Sequence, residues 1–215
     1  MKKAHILFDL DGTIIDSSEG IFNSINYAMK KLVKEELSLE VLKTFVGPPL
    51  QDSFERIGLS EENAALAVTY YRELYSTEGI YQAKPYDEIE KTLAELSKCQ
   101  KLYLATSKPE FFAKKILEHL GFTEYFTGIY GADLEGLRIA KADVIAYALR
   151  NAKLEDKETI VMIGDREHDI LGAKINSVDS IGVLYGFGSQ KELSQAGADE
   201  IIEKPEELLS LVRKG

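Results

Sequence analysis

Apolar and polar positions follow two rhythms along these 215 residues. The first is a short apolar run, Ile6-Leu7-Phe8, of the kind that forms a strand buried on both faces. Asp16-Ser17-Ser18-Glu19 then fits a capping box. Behind it Ile21, Phe22, Ile25, Met29, Leu32 and Val33 recur at helical spacing, and Ala64, Ala65, Leu66, Val68, Tyr71 and Leu74 make another amphipathic stretch. From the first of these helices to about Tyr81 no strand pattern is convincing, so this region reads as a helical insert. Gly47-Pro48-Pro49 interrupts it, because Pro49 forces Pro48 out of the helical basin. After Pro85 the rhythm changes. A helix (Ile89, Leu93, Leu96) leads to a strand at Leu102–Ala105, and a helix from Phe111 to Leu120 closes on Gly121. A short strand near Ile129-Tyr130, a helix over Lys141–Asn151 and a strand over Ile160–Ile163 follow. A helix near Ile170–Ile175, a strand near Ser180–Leu184 and two final helices complete the pattern. Strands alternating with helices predict an α/β fold: a parallel sheet flanked by helices on both faces.

Composition narrows the setting. The length suits one domain with an insertion or two modest domains. Hydrophobic content of 45% and charged content of 29% are ordinary for a globular chain. A net charge of −10 argues against a nucleic-acid-binding surface. No apolar stretch approaches membrane-spanning length, and no signal-peptide pattern is present, so no membrane partner is expected. The lone Cys99 cannot form an internal disulfide, which agrees with a reducing, cytoplasmic setting.

The chemistry lies at the strand ends, where open parallel sheets bind ligands. The first strand runs into Asp9-Leu10-Asp11-Gly12-Thr13. A strand repeats its side-chain direction every two residues, so both carboxylates would point one way, with alpha carbons about 6–7 Å apart. The next strand ends in Thr106-Ser107-Lys108, and the one at Ile160–Ile163 in Gly164-Asp165-Arg166-Glu167-His168-Asp169. Lys141 opens the helix before that last strand. One edge of the sheet would therefore gather Asp9, Asp11, Asp165 and Asp169 with Thr106 and Lys141. Clustered carboxylates need a counter-charge, and magnesium, which prefers oxygen ligands and leaves room for a phosphate, is the natural one. Thr106 can donate its hydroxyl to a phosphate oxygen, and Lys141 can neutralise another. The set describes phosphoryl transfer with a carboxylate nucleophile.

Asp9-Leu10-Asp11-Gly12-Thr13 resembles the first signature of the haloacid dehalogenase-like superfamily. Thr106, Lys141 and Gly164-Asp165 with Asp169 resemble its other three, in order, and the likeness extends over essentially the whole chain. Within the superfamily the chain looks most like phosphoglycolate phosphatases and related bacterial nucleotidases. The resemblance implies a Rossmann-like core over residues 1–15 and 83–215 and an inserted all-helical cap over 16–82. It implies that Asp9 attacks phosphorus to form an aspartyl-phosphate, while Asp11 serves as general acid and then general base. It further implies magnesium held by the Asp9 carboxylate, the Asp11 backbone carbonyl and Asp165, with Asp169 ligating or bracing. Thr106 and Lys141 would hold the phosphoryl group. Many relatives place Pro after that lysine, where this chain has Ala142.

Other readings stand beside these. Ser107 with Glu110, and Ser189 with Glu192, fit capping boxes, so Ser107 reads as structural and Gly186-Phe187-Gly188 as a turn. None of His5, His119 and His168 takes a site role. The expected activity is a magnesium-dependent phosphatase of a small phosphomonoester, phosphoglycolate-like, in a monomer or homodimer. A helical cap would exclude water, with the Phe45–Gln51 loop as candidate reader of the leaving group. The alternatives are a 5'-nucleotidase on nucleoside monophosphates, a sugar phosphomutase, or a non-enzymatic receiver-like phospho-acceptor domain.

Overall fold

The computed structural model describes residues 2–134 and 137–212. In chain order its elements are β1 (His5–Phe8), β2 (Ile15–Asp16), α1 (Ser18–Lys31), α2 (Leu39–Lys43), α3 (Leu50–Arg56), α4 (Glu61–Tyr75) and β3 (Lys84–Pro85). There follow α5 (Ile89–Ser97), β4 (Lys101–Pro109), α6 (Glu110–Leu120), β5 (Phe126–Ala132), α7 (Lys141–Asn151) and β6 (Ile160–Gly164). The last are α8 (Glu167–Ile175), β7 (Asp179–Val183), α9 (Gln190–Ala196), β8 (Glu200–Ile202) and α10 (Glu207–Leu211). The chain divides into two compact units, Met1–Asp16 with Pro85–Gly215 and, separately, Ser17–Lys84.

In the first unit six strands form a parallel sheet in the order β5-β4-β1-β6-β7-β8. β1 lies inside the sheet, which is why Ile6, Leu7 and Phe8 form an unbroken apolar run and are all fully buried. The two-residue repeat sorts the side chains by face. Leu7, Tyr103, Ala105, Ile160 and Met162 pack in one cluster with Val144, Ile145, Ala148 and Leu149 of α7. Each such side chain contributes roughly 1.5–3 kcal/mol on full burial if large. α5 buries Ile89, Leu93 and Leu96 at helical spacing, and Ile170 of α8 packs with Leu193 and Ala196 of α9. Gly121 closes α6 in the left-handed conformation, φ 74°.

The second unit is helical. α1 buries Ile21, Ile25, Ala28 and Met29, and α4 buries Ala64, Ala67, Tyr71 and Tyr75. Ser60 caps α4 by accepting from the Asn63 N–H at 3.3 Å. The Gly47-Pro48-Pro49 loop is anchored by buried Phe45 and Val46, and Phe45 meets Phe54 edge-on at 5.1 Å. Arg56 donates to the Thr44 carbonyl at 2.8 Å and holds the same turn.

Several local expectations are corrected. The residue capping α1 is Ser17, without a side-chain cap bond, because Asp16 is held extended in β2. β4 continues as strand through Pro109, so Ser107 is not a helix cap; the Glu110 carboxylate instead accepts from the Gly131 N–H at 3.3 Å. Ser189 does accept from the Glu192 N–H at 3.2 Å, but the Glu192 carboxylate turns to Arg166 Nε at 2.7 Å rather than back to the cap. β5 is seven residues long rather than a short pair, α8 starts at Glu167, and β8 adds a sixth strand between the two final helices.

Candidate active site

Register gathers the site. Phe8 pairs with Leu104 on one side and Ile163 on the other, and the Asp9 N–H donates to the Ile163 carbonyl at 2.9 Å. Asp9 and Asp165 therefore emerge where β1 and β6 end, level with Thr106 in the neighbouring β4. The chain reverses its direction of strand addition around β1, which makes this edge the switch point where α/β sheets bind ligands. α7 supplies Lys141 from its first residue, and α8 supplies Asp169 from its first turn.

Lys141 Nζ lies 2.6 Å from Asp9 Oδ1 and 2.8 Å from Asp169 Oδ1, and it donates to the Ala105 carbonyl at 3.1 Å. Asp169 Oδ2 accepts from the Arg166 N–H at 3.1 Å. Asp165, wholly buried, accepts from the Phe187 N–H at 2.8 Å through Oδ2, while its Oδ1 has no hydrogen-bond partner among the described residues. Asp9, Asp165 and Asp169 each offer a carboxylate oxygen, all within 4.8 Å of one another. The Asp11 carboxylate stands outside this group and faces a different cation, Lys108 Nζ, at 3.0 Å. Thr106 is buried, and its Oγ1 accepts from the Lys108 N–H at 3.2 Å, which leaves its own hydroxyl proton for another acceptor.

The charge balance is uneven: of three clustered buried carboxylates, two contact the one buried ammonium, Lys141. Burial alone would lower the Lys141 pKa, but the Asp169 and Asp9 carboxylates outweigh it and raise the group above its ordinary value. Burial, against the pull of Lys141, raises Asp9, and burial followed by repulsion from Asp169 and Asp9 raises Asp165 well above the usual carboxylate range. An all-oxygen donor set with surplus negative charge and an unpartnered buried oxygen on Asp165 fits a hard divalent cation.

All six residues expected from sequence are thus located at this edge. Lys108 was missed, although its signal is the two-residue rule: it follows Thr106 on the same strand as Asp11 follows Asp9. Gly186-Phe187-Gly188, expected as a turn, touches Asp165. Just before it, Tyr185 meets Tyr86 edge-on at 5.1 Å, and its buried hydroxyl has no partner among the described residues. Burial, followed by the charge of Asp16 on Tyr86 and of Asp165 on Tyr185, raises both phenols. These contacts come from loops and carry no local motif. His168 is exposed on α8, in line with its exclusion from the site.

Comparison with known proteins gives consistent matches. The model of the haloacid dehalogenase-like hydrolases matches residues 6–183. A 5'-nucleotidase of Pseudomonas aeruginosa is 43% identical over 195 residues, covering 90% of this chain and 88% of that protein. The tyrosine-protein kinase PtkA of Mycobacterium tuberculosis is 38% identical over 185 residues, which is 85% of this chain but 62% of the kinase. A crystal structure of a predicted phosphatase from Clostridium acetobutylicum superposes with a TM-score of 0.92 at 43% identity, covering 99% of each chain. Among the described residues no helix is long and apolar enough to cross a membrane.

Proposed function

Because the chain belongs to the haloacid dehalogenase-like hydrolases, a phosphoric monoester hydrolase by family, we propose that it is a magnesium-dependent phosphatase of small soluble phosphomonoesters. The observation that carries this reading is the buried group of Asp9, Asp165 and Asp169, with Lys141 paired to Asp9 and Asp169 and Asp11 set apart against Lys108.

Asp9, Asp165 and Asp169 would hold the ion, joined by the Asp11 backbone carbonyl. Magnesium bound there supplies positive charge against the carboxylates and the phosphoryl oxygens. Lys141 and the Thr106 hydroxyl hold the phosphoryl oxygens in line with Asp9. Asp9 attacks phosphorus as its bond to the leaving oxygen breaks, and Asp11 gives that oxygen its proton, releasing an alcohol. The aspartyl-phosphate then reacts with water: Asp11 takes the water's proton, the new oxygen–phosphorus bond forms, and the Asp9 carboxylate is released with inorganic phosphate. The place of the Asp11 carboxylate outside the Asp9, Asp165 and Asp169 group supports this division, since a proton carrier bound directly to metal would be held in its charged form.

The nucleotidase relative makes nucleoside monophosphates the first substrates to test, beside phosphoglycolate. A purified-enzyme screen with magnesium should cover both, with sugar phosphates, pyridoxal phosphate, and an ATP-plus-tyrosine-peptide arm prompted by the kinase relative. The expected result is metal-dependent phosphate release, ranked by kcat/KM, that falls at least about a thousandfold in Asp9→Asn. Full activity in that variant would remove Asp9 as nucleophile. Isomerised rather than free phosphate from a hexose 1-phosphate would make the protein a mutase.

A further inference from the structure

Asp165 is enclosed by backbone on several sides. A Cβ at Gly12 would collide with its carboxylate. One at Gly186 would collide with the Gly12 carbonyl oxygen and the Asp165 side chain, and one at Gly188 with the Asp165 carbonyl oxygen. Between those two glycines, Phe187 aims its N–H at Asp165 Oδ2, 2.8 Å away. The segment is tied down at both ends. Leu184, just past β7, donates to the Ile202 carbonyl at 2.9 Å, and Ser189 caps α9. With Oδ2 held, Oδ1 is the atom left without a partner among the described residues.

We propose that residues 186–188 form a fixed strap that positions Asp165 for the cation: the Phe187 N–H holds Oδ2, and the absent side chains of Gly186 and Gly188 let the strap close on the carboxylate so that Oδ1 is presented. This rests on the cation site assigned above. The strap acts here through Asp165, so it is a positioning element. A carboxylate with both oxygens free samples several rotamers, whereas one tied to a backbone amide is already in place when the ion arrives. Groups that brace ligands in this way typically contribute 10–100-fold to metal affinity.

The test is magnesium titration calorimetry on the full chain without substrate, with melting followed in chelator to confirm folding. Gly186→Ala and Phe187→Pro, the second of which removes the N–H, should each weaken magnesium tenfold or more. Gly197→Ala, strained by φ 85° at the end of α9, should lose stability while keeping wild-type affinity. On the wild-type protein, amide exchange across 184–189 should slow several-fold when magnesium is added. If the wild type binds no magnesium, the cation site falls and the strap with it. If the wild type binds and folded Gly186→Ala and Phe187→Pro bind equally well, the strap alone is overturned. Should neither variant fold, exchange decides: no slowing across 184–189 overturns the proposal, and slowing there supports it.

Discussion

Asp9 and Asp11 carry the same formal charge two residues apart, yet each faces its own lysine, Lys141 in one case and Lys108 in the other. In the proposed mechanism the two carboxylates would take separate tasks, and the separate ion pairs make that testable. Lys108→Met should leave Asp11 without its partner and lower kcat roughly tenfold, a fraction of the 10²–10⁴ that a general acid contributes, with Lys108→Arg recovering part of it. Melting curves should move little, which distinguishes lost positioning from lost fold. A second residue-scale effect lies away from the site. Burial, with Lys101 adding to it and Asp156 opposing, holds His5 below its ordinary value of 6.5, and Tyr103 Oη stands 3.4 Å from its Nδ1. A group depressed in the folded state takes its proton more readily when unfolded, so its contribution is intact above 6.5 and is lost as pH falls through the folded value. His5→Gln should therefore flatten part of the decline in melting temperature as pH falls below 6.5.

At the scale of elements, helix ends give separable tests. Ser60→Ala removes the cap from α4 and should cost about 1 kcal/mol in urea denaturation. Gly121→Ala forces a side chain into the left-handed conformation after α6 and should cost about 1–2 kcal/mol. The elements also mark what the sequence could convey. Buried strands were legible because Ile6–Phe8 and Ile160–Ile163 are apolar runs with a charged residue at the end. β8 was not, since Glu200-Ile201-Ile202 is too short to show a period and lies among helical residues. The Ser107 cap was misread because β4 outlasts its apolar stretch, held by pairing from Thr106 to Gly131 and from Pro109 to Ala132. The six site residues were legible because each stands at or just past the end of an apolar run or in the first turn of a helix. Lys108 and Phe187 depend on where the chain returns in space, and that information is spread over distant residues.

For the whole molecule, the uncompensated acidic centre sits in a chain that already carries a net charge of −10. A cation that binds only the folded state should raise stability by about 2.7 kcal/mol at a hundred times its Kd. For a chain of this size that is a rise in melting temperature of roughly 5–10 °C. Calorimetric scans with and without magnesium check it, and an unchanged midpoint would count against the cation site. The position of β1 carries one more consequence, for the order in which the protein takes shape. His5 pairs with Lys101 and with Ile160, so the first strand of this sequence waits for both of its neighbours to be synthesised. Contacts so distant along the chain are slow to close. Until they do, the apolar Ile6-Leu7-Phe8 run of β1 stands with open edges, exposed to pairing with other nascent chains. The candidate site is thus a late product of folding, and a ribosome-bound chain that stops short of residue 160 lacks Asp165 and Asp169 altogether.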